Sequence, residues 1–348
     1  MSRYLVTGAT GFLGGHLTRH LVAQGHEVTA LCRATSGGAG LAGPGVRVAP
    51  GDILDAESVK RAAEGCHGVF HCAGKVSRKA EDAELLHRTN VDGTKIVLAA
   101  TKAAGVPRLV LASTSGTVAV SKEPEILDER APAPSELIGR WPYYRTKLYA
   151  ETFALEQNGA GLEVVCVNPS LLLGPGDLHG SSTGDVELFL EGKVPVVPAG
   201  GISFVDARDV APAMLAAMTH GKPGARYLMA GANMTIDAFF GRLSRISGVP
   251  RPRLKAPKSL LAARVGASLF DRAKKYLPIE GDMDPISVEM AQVFWYADST
   301  RAREDLGFAP RDPGDTLADT VADLLGRGVV WPKEGSLPLA GRTDSRAL

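Results

Sequence analysis

The sequence predicts an α/β protein in which a doubly wound parallel sheet is followed by a smaller C-terminal lobe. Short β-branched runs alternate with helix-length amphipathic stretches through the first half of the 348-residue chain. This alternation is typical of parallel strands joined by crossover helices. A turn rich in glycine follows the first run directly, and beyond Pro169 the alternation gives way to loops rich in glycine and proline. These loops indicate a second, less regular lobe.

The strands and helices of the first half can be assigned in order. Strands are predicted at 3–7, 27–32, 46–50, 68–72, 108–113 and 163–168. Helices are predicted at 11–24, 56–64, 90–104 and 143–158. Gly25 and Gly65 stand close to the ends of the first two helices as C-terminal stops, and Asn90 would cap the third.

Three regions follow from this organisation. Residues 1–168 would form mainly the sheet domain, and residues 169–332 mainly the smaller lobe, interleaved with the sheet. Residues 333–348 lack periodicity and are expected to be a mobile tail. Ligands of open α/β sheets lie at the carboxyl ends of the strands, so a substrate would bind between the sheet and the lobe.

Composition and charge exclude several classes of protein. The chain is 45 % hydrophobic and 22 % charged, as ordinary globular proteins are. Its 39 basic and 38 acidic residues give a net charge of +1, so no basic field is available to hold nucleic acid. No signal-peptide pattern and no apolar run of about eighteen residues is present, so we expect neither export nor a membrane span.

The cysteine and histidine patterns argue against a disulfide or metal framework. No Cys-x-x-Cys spacing occurs among Cys32, Cys66, Cys72 and Cys166. Three of the four interrupt apolar strand-like runs, which suits reduced, buried thiols in the cytoplasm. His16 and His20 are four residues apart on a predicted helix, but no third ligand is placed near them. We therefore expect no metal and a solvated helix face at these histidines.

The glycine-rich turn predicts a dinucleotide-binding site. Gly8, Gly11 and Gly14 follow a strand directly and precede an amphipathic helix. The first glycine permits the sharp turn, the second lets the backbone approach a pyrophosphate, and the third allows close packing of helix on strand. The helix N-terminus adds free N–H groups and the positive end of a dipole. This context in a βαβ unit favours a Rossmann-type nucleotide site over a purely structural turn.

The end of the second strand bears on which nicotinamide cofactor is bound. NAD sites usually have a carboxylate there for the ribose 2′-hydroxyl, whereas an arginine can accept a 2′-phosphate. Here Cys32 is followed by Arg33 and no acid, which favours NADP(H), with NAD(H) as the alternative. Arg33 could instead be a solvated cation. Asp52 could bind the adenine amine or cap the following helix.

A tyrosine, a lysine and a group of hydroxyls form a candidate catalytic set. Tyr143 and Lys147 are four residues apart, so on a helix they share one face, and the ammonium could lower the pKa of the phenol. Residues 113–115, Ser-Thr-Ser, end a predicted strand and would bring hydroxyls to the edge of the sheet. Reduction of a carbonyl needs such a proton donor, a cation and a hydroxyl for the oxygen.

Together these residues resemble the extended short-chain dehydrogenases/reductases of the NAD-dependent epimerase/dehydratase superfamily, from Arg3 to about Leu325. The matching segments are 7–14, 51–53, 71–74, 90–94, 113–115, 143–147, 168–177, 204–211 and 298–308. The resemblance implies a Rossmann domain with a substrate-binding lobe, and catalysis by Tyr143 and Lys147 with Thr114, or Ser115 as the fallback. The cofactor-binding residues that it implies are Gly8, Thr10, Gly11, Phe12, Leu13, Gly14, Arg33, Asp52, Ile53, Ala73, Gly74, Ser113, Tyr143, Lys147, Pro169 and Ser170.

Within the family, 115–120 and 167–175 look like the dihydroflavonol-4-reductase and cinnamoyl-CoA-reductase branch. This branch implies transfer of hydride to a ketone or aldehyde, or the reverse, with Tyr143 as acid and base. Three alternatives remain open. The first is an NAD-dependent nucleotide-sugar epimerase or dehydratase, the second a 3β-hydroxysteroid dehydrogenase-like enzyme, and the third a regulator that senses NADP(H) without catalysis.

Partners are predicted from the resemblance and from one amphipathic segment. The family implies a homodimer through the helices that contain 94–104 and 143–158. Residues 260–275 are apolar on one side and basic on the other. This pattern favours a lid over the substrate lobe rather than a helix on a membrane surface.

Overall fold

A computed structural model describes residues 1–35, 38–159, 161–257 and 285–331. The amphipathic segment 260–275 and the predicted tail 333–348 lie outside the described residues, so neither prediction is tested. The strands are β1 Arg3–Thr7, β2 Glu27–Cys32, β3 Val46–Pro50, β4 Gly68–His71, β5 Arg108–Ala112, β6 Glu163–Pro169, β7 Leu171–Leu173, β8 Val196–Val197, β9 Gly201–Asp206, β10 Arg226–Met229, β11 Ala232–Thr235 and β12 Leu254–Lys255.

The helices alternate with the strands in the first half, as predicted. They are α1 Phe12–Ala23, α2 Ala56–Ala63, α3 Ala83–Leu86, α4 Gly93–Ala103, α5 Ser135–Ile138, α6 Pro142–Glu156, α7 Gly184–Leu190, α8 Ala207–Thr219, α9 Ile236–Ser247, α10 Pro285–Met290, α11 Thr300–Leu306 and α12 Pro313–Gly326. A π-helical turn, His87–Asp92, precedes α4, and a 3-10 turn, Ser115–Thr117, follows β5. Among the described residues, no helix is long and apolar enough to span a membrane.

The central sheet has seven parallel strands in the order β10-β6-β5-β4-β1-β2-β3. The chain builds β1, β2 and β3 outward in one direction, then crosses back to place β4 on the other side of β1. The carboxyl ends of β1 and β4 therefore border the crevice where doubly wound sheets bind their ligands. This topology confirms the predicted fold class.

Two helical layers cover the sheet and form its cores. One core packs α1 and α8 on the sheet through Leu17, Leu21 and Met214, all fully buried. The other packs α2, α4 and α6 through residues such as Val59 and Val97. Strand β10 and helix α8 come from beyond residue 169, so the second half of the chain completes the sheet.

The smaller lobe is built on two short sheets. One has three strands in the order β11-β9-β7, and the other pairs β12 with β8. Helices α7, α9 and α12 share an apolar core with the three-stranded sheet through Phe189, Phe239 and Leu317. At the end of β9, Asp206 accepts the Arg208 N–H at 2.9 Å and caps α8. The lobe is thus joined to the sheet domain through the β9–α8 junction.

The predicted strands agree with the observed ones to within one residue at each end, and Gly25 and Gly65 have the positive φ of helix stops, 77° and 72°. The predicted cap at Asn90 is wrong. This residue lies inside the π-helical turn, where its Oδ1 accepts the Lys75 N–H at 2.8 Å and its Nδ2 donates to the Lys75 carbonyl at 3.0 Å. The side chain is committed to a distant loop and does not cap α4.

The histidine and cysteine predictions had different outcomes. His16 is half-buried on α1 and its Nε2 lies 2.9 Å from the Pro175 carbonyl oxygen, so the expected solvated face is wrong at this position. All four cysteines are free thiols, and Cys32, Cys66 and Cys166 are buried, as predicted. Burial raises the pKa of each of these three thiols.

Candidate active site

The turn between β1 and α1 has the close backbone packing that its glycines predict. Gly8 has a φ of +73°, and a Cβ placed on it would lie 2.6 Å from the Ala73 nitrogen. A Cβ on Gly14 would lie 2.1 Å from the Gly8 carbonyl oxygen. No side chain caps the start of α1 at Gly11, which leaves the amides of the first turn free of side-chain partners. The turn therefore fits a pyrophosphate at the helix N-terminus.

The other predicted residues of the turn take two different environments. Phe12 and Leu13 begin α1 and are buried, whereas Thr10 is only half-buried on the turn itself. On the facing loop after β4, Ala73 donates its N–H to Thr7 Oγ1 at 3.3 Å, and Gly74 is exposed. The structure thus brings the ends of β1 and β4 together around one crevice.

A buried histidine that the sequence did not single out as functional holds these two strand ends together. His71 Nδ1 lies 2.7 Å from Thr7 Oγ1, and His71 Nε2 lies 3.1 Å from Thr94 Oγ1. Thr94 donates its own proton to the Asn90 carbonyl at 2.6 Å, so His71 Nε2 must carry the hydrogen. Burial, with the charge of Lys147, lowers the pKa of His71 to about 3. His71 is therefore neutral, and its hydrogen bonds connect Thr7, at the end of β1, with Thr94 of α4.

The adenosine end of the predicted site lies beyond β2 and β3. Arg33 follows β2 and is exposed. Asp52 accepts the Leu54 N–H at 3.0 Å, whereas the cap of α2 is Asp55. The interpretation of Asp52 as a helix cap is therefore wrong. Ile53 packs towards α4, where a Cβ on Gly93 would lie 2.8 Å from its Cδ1.

Helix α6 carries the candidate acid and cation. Pro142 is its first residue, as its fixed φ and missing N–H favour. Lys147 is 8 % exposed, and its Nζ donates to the Ala112 carbonyl, at the end of β5, at 2.7 Å. Burial, with Tyr144, raises the pKa of Tyr143 above its ordinary value. The lowering expected from Lys147 is not seen in this structure.

The three hydroxyls after β5 have separate environments. Ser113 donates to the buried carboxylate of Glu151, so its hydroxyl is occupied within the protein. Thr114 Oγ1 accepts the Gly116 N–H at 3.3 Å and caps the 3-10 turn. Ser115 is 4 % exposed, and no side chain or backbone group in the described part of the chain hydrogen-bonds its hydroxyl.

An aromatic group borders Tyr143 on the side of the lobe. The centroids of the Tyr143 and Tyr144 rings are 5.0 Å apart, and the Tyr144 ring packs on Trp295, tilted by 38°, with the centroids 4.8 Å apart. A Cβ on Gly116 would lie 2.3 Å from the Tyr144 ring, so only glycine fits there. Trp141 is 1 % exposed and packs on Trp295 at 5.6 Å, which makes it part of the core rather than a pocket wall. Trp295 is distant in sequence, and no local pattern pointed to it.

Two further contacts involve the loop after β4 and the end of β6. Arg78, on the loop after β4, forms two hydrogen bonds with Asp185 of α7, at 2.8 and 2.7 Å. This pair ties the sheet domain to the lobe. Pro169 and Ser170, at the end of β6, are buried, and the Ser170 hydroxyl donates to the Met229 carbonyl at 3.2 Å.

Known proteins share this architecture and sequence. Residues 4–230 match the model of the NAD dependent epimerase/dehydratase family. A putative dihydroflavonol 4-reductase from Synechocystis sp. is 34 % identical over 333 residues, 94 % of this chain and 96 % of that protein. Sterol demethylase protein B from Methylococcus capsulatus is 34 % identical over 330 residues, 94 % of this chain and 99 % of that protein. The crystal structure of gox2253 superposes with a TM-score of 0.82 at 28 % identity, covering 95 % of this chain and 100 % of that chain.

These matches confirm the resemblance that the motifs predicted, including its reductase-like character. The matched residues include the glycine turn, the hydroxyls after β5 and the Tyr143–Lys147 pair. The chain therefore belongs to the NAD dependent epimerase/dehydratase family within the extended short-chain dehydrogenases/reductases, and it is an oxidoreductase that acts on CH–OH or C=O groups.

Proposed function

We propose that this protein is an NADP(H)-dependent reductase that converts a ketone or aldehyde to an alcohol, or catalyses the reverse reaction. The observation that carries the proposal is the position of Tyr143 and Lys147. They share one face of α6 at the carboxyl ends of the strands, with Lys147 bonded to the end of β5. The segment 113–117, called the hydroxyl turn below, begins directly after that strand end. Its position supports a common site for the acid, the cation and a hydroxyl.

In the proposed mechanism each of these side chains has a defined task. When bound, the nicotinamide supplies the hydride that adds to the carbonyl carbon. Tyr143 gives its proton to the carbonyl oxygen, and its raised pKa keeps that proton in place at neutral pH. Lys147 would hold the ribose hydroxyls and stabilise the phenolate that forms. A hydroxyl after β5 would donate to the oxygen as negative charge develops on it.

The structure supports Ser115 over Thr114 as that hydroxyl. Thr114 is engaged as the cap of the 3-10 turn, whereas the Ser115 hydroxyl has no partner among the described residues. A free hydroxyl can reorient towards a carbonyl oxygen without breaking a bond within the protein. We propose that Thr114 shapes the turn and that Ser115 binds the substrate.

The preference for NADP(H) rests on Arg33 and on the absence of an acid at the end of β2. An arginine at this position can form charge-assisted hydrogen bonds with a 2′-phosphate. Substitution of Arg33 by Ser should lower the ratio of kcat/KM with NADPH to that with NADH by about tenfold or more. An unchanged ratio would remove Arg33 from the cofactor site.

The experiment that tests the function is cofactor oxidation with a panel of bulky ketones and aldehydes. NADPH and NADH are compared in parallel, and Tyr143→Phe is the control. We expect turnover with a preference for NADPH, and a loss of about a hundredfold or more in the control. Absence of turnover, together with NAD retained by the purified protein, would favour a nucleotide-sugar epimerase or dehydratase instead.

We further propose a homodimer formed through α4 and α6, in the cytoplasm. Tyr149 on α6 is 50 % exposed, and Lys95 lies over the Phe153 ring at 5.3 Å beside a groove of about 420 Å³. A second copy would cover this surface, and the free thiols suit a reducing compartment. Light scattering should give the mass of a dimer, and Tyr149→Asp should shift it to a monomer. A wild-type monomer at micromolar concentration would contradict the proposal.

A further inference from the structure

Helix α6 carries a third ionisable residue on the face of the candidate catalytic pair. Glu151 follows Lys147 by four residues, as Lys147 follows Tyr143, so the three side chains form a stripe along the helix. Glu151 is 0 % exposed. A carboxylate is costly to bury, so its retention in the interior needs a specific compensation.

Donors from two neighbouring segments of the fold converge on this carboxylate. Its Oε2 accepts from Ser113 Oγ, from Thr117 Oγ1 at 2.8 Å and from Asn168 Nδ2 at 2.7 Å. Its Oε1 faces Arg226 Nε at 3.3 Å, without a hydrogen bond. This arrangement of donors suits a carboxylate, which accepts hydrogen bonds and does not donate them.

Two of the residues that hydrogen-bond Glu151 belong to the turn that carries the Thr114 and Ser115 hydroxyls. Ser113 and Thr117 flank the Thr114–Ser115 pair, one residue before it and two after. Asn168 Nδ2 also approaches the Thr114 carbonyl, at 3.1 Å. The hydroxyl turn is therefore held to α6, and so to Tyr143, through one buried side chain.

The charge of Glu151 also bears on Lys147. Burial lowers the pKa of Lys147, and the Glu151 charge is the largest influence that raises it, followed by Cys166 and Cys72. Burial raises the pKa of both thiols, which keeps them neutral. His71 on the other side is neutral as well, since its pKa is about 3. Arg226, on β10, forms an ion pair with Glu151, its Nε 3.3 Å from Oε1.

We propose that Glu151 is a positioning residue of this active site. Its hydrogen bonds fix the hydroxyl turn to helix α6, and its buried charge, one helical turn from Lys147, stabilises the Lys147 ammonium. This role rests on the proposed function, in which Lys147 holds the ribose of the cofactor. Glu151 itself touches neither substrate nor cofactor.

The test uses cofactor affinity, which can be measured before a substrate is known. The dissociation constant of NADPH is followed by fluorescence across the neutral and alkaline range. In the wild type, the affinity for NADPH should fall at the pH where Lys147 loses its proton. Lys147→Gln should lack this fall, which is called the step below. Glu151→Gln keeps the shape but removes the charge, so the step should move to lower pH by about one unit or more.

Matched variants separate charge from structure. Ser113→Ala removes one hydrogen bond to Glu151 Oε2 but keeps the carboxylate. The fall in NADPH affinity should therefore occur at the same pH as in the wild type, even if the variant is less stable. Arg226→Gln removes the opposing cation, so its step should move to higher pH. If Glu151→Gln does not fold, the double variant Glu151→Gln/Arg226→Gln decides, because it leaves neither charge of the pair unpaired. Its step should lie at lower pH than that of Arg226→Gln alone.

An unmoved step in Glu151→Gln, or an equal shift in Ser113→Ala, would overturn the proposal. Failure of the proposed function is recognised separately, because the wild type would then show no turnover with the ketones and aldehydes. If the wild type is active and Tyr143→Phe is not, while the step does not move in Glu151→Gln, only the role of Glu151 is lost.

Discussion

At the level of single residues, burial decides the protonation states around the cleft. Tyr143 keeps its proton because burial raises the pKa of its phenol, and His71 stays neutral because burial lowers the pKa of its imidazole. The same effect favours opposite protonation states in an acid and a base, since it disfavours the charged form of each. The result is a protonated phenol at Tyr143 and a neutral imidazole at His71.

The two hydroxyl candidates can be separated by a pair of substitutions. Ser115→Ala should lower kcat by about tenfold to a hundredfold, because the donor to the developing oxyanion is lost. Thr114→Val, which removes the turn cap but keeps the shape, should cost about 1 kcal/mol of unfolding free energy and less activity. Steady-state kinetics and urea unfolding measure both effects. A larger loss of kcat in Thr114→Val would return the role to Thr114.

His71 should make the stability of the protein depend on pH. Its pKa is about 3 in the folded protein against 6.5 ordinarily, so the unfolded chain binds more protons between these values. Stability is therefore complete above about pH 6.5 and decreases as the pH falls, by about 2 kcal/mol near pH 5. Urea unfolding at several pH values measures this slope. In His71→Gln the slope should be smaller by about one proton, and an unchanged slope would contradict the assignment.

At the level of elements, the turn between β1 and α1 shows how close two backbones must approach. Gly14 packs on the Gly8 carbonyl, and Gly8 packs on the loop after β4. The π-helical turn before α4 makes a comparable junction, because Asn90 binds Lys75 on that loop and donates to Thr146 Oγ1 of α6 at 3.1 Å. Thr146 in turn donates to the Tyr143 carbonyl at 2.7 Å. Helix α6 is thus connected to the loop after β4 through the side chains of Asn90 and Thr146.

Two adjacent glycines of α1 allow a controlled test of this packing. Gly14→Ala would put a Cβ 2.1 Å from the Gly8 oxygen, so it should destabilise the fold and abolish NADPH binding. Gly15→Ala meets its nearest atom at 3.4 Å, an ordinary contact, and should bind NADPH normally with equal or slightly higher stability. Thermal unfolding and fluorescence titration compare the two. Normal binding by Gly14→Ala would refute the close-packed turn.

At the scale of the whole molecule, ion pairs join parts of the chain that are far apart in sequence. Asp206 is 1 % exposed and binds Arg208, whose guanidinium also reaches Asp319 of α12 at 2.7 Å. Arg311 binds Asp209 of α8 at 2.8 Å. Burial alone would raise the pKa of Asp206, but the hydrogen bonds and charge of Arg208 bring it below its ordinary value. These pairs fasten α12 and the preceding loop to the start of α8.

Removal of the Asp206 charge should lower the stability of the whole protein. Asp206→Asn should lower the free energy of unfolding by about 2 to 4 kcal/mol, because it breaks a buried pair. The difference from the wild type should shrink as the pH falls towards the acidic range, where the carboxylate is lost anyway. The control is Asp237→Asn, whose partners Arg251 and Lys255 are largely exposed, and which should cost less than about 1 kcal/mol. Equal costs would mean that burial does not strengthen the Asp206 pair.

Much of this protein could be predicted from local sequence patterns. Alternating β-branched and amphipathic segments located the six strands of the first half, because each pattern depends only on which face of a segment is buried. The three spaced glycines located the close-packed turn between β1 and α1, since only glycine allows such backbone contact at Gly8 and Gly14. The spacing of Tyr143 and Lys147 placed both on one helix face, because the helical repeat alone determines it.

Other features depended on contacts between distant segments. Asn90 looked like a helix cap but binds a loop fifteen residues away, and Trp295 reaches Tyr144 from the second half of the chain. The upward shift of the Tyr143 pKa and the burial of Glu151 both depend on residues that only the folded chain brings around them. The sequence by itself determined the strands and helices of the first half, the glycine turn after β1 and the shared helix face of Tyr143 and Lys147. Only the tertiary structure decided the partners and protonation of the side chains, because desolvation and hydrogen bonding arise from neighbours that folding brings together.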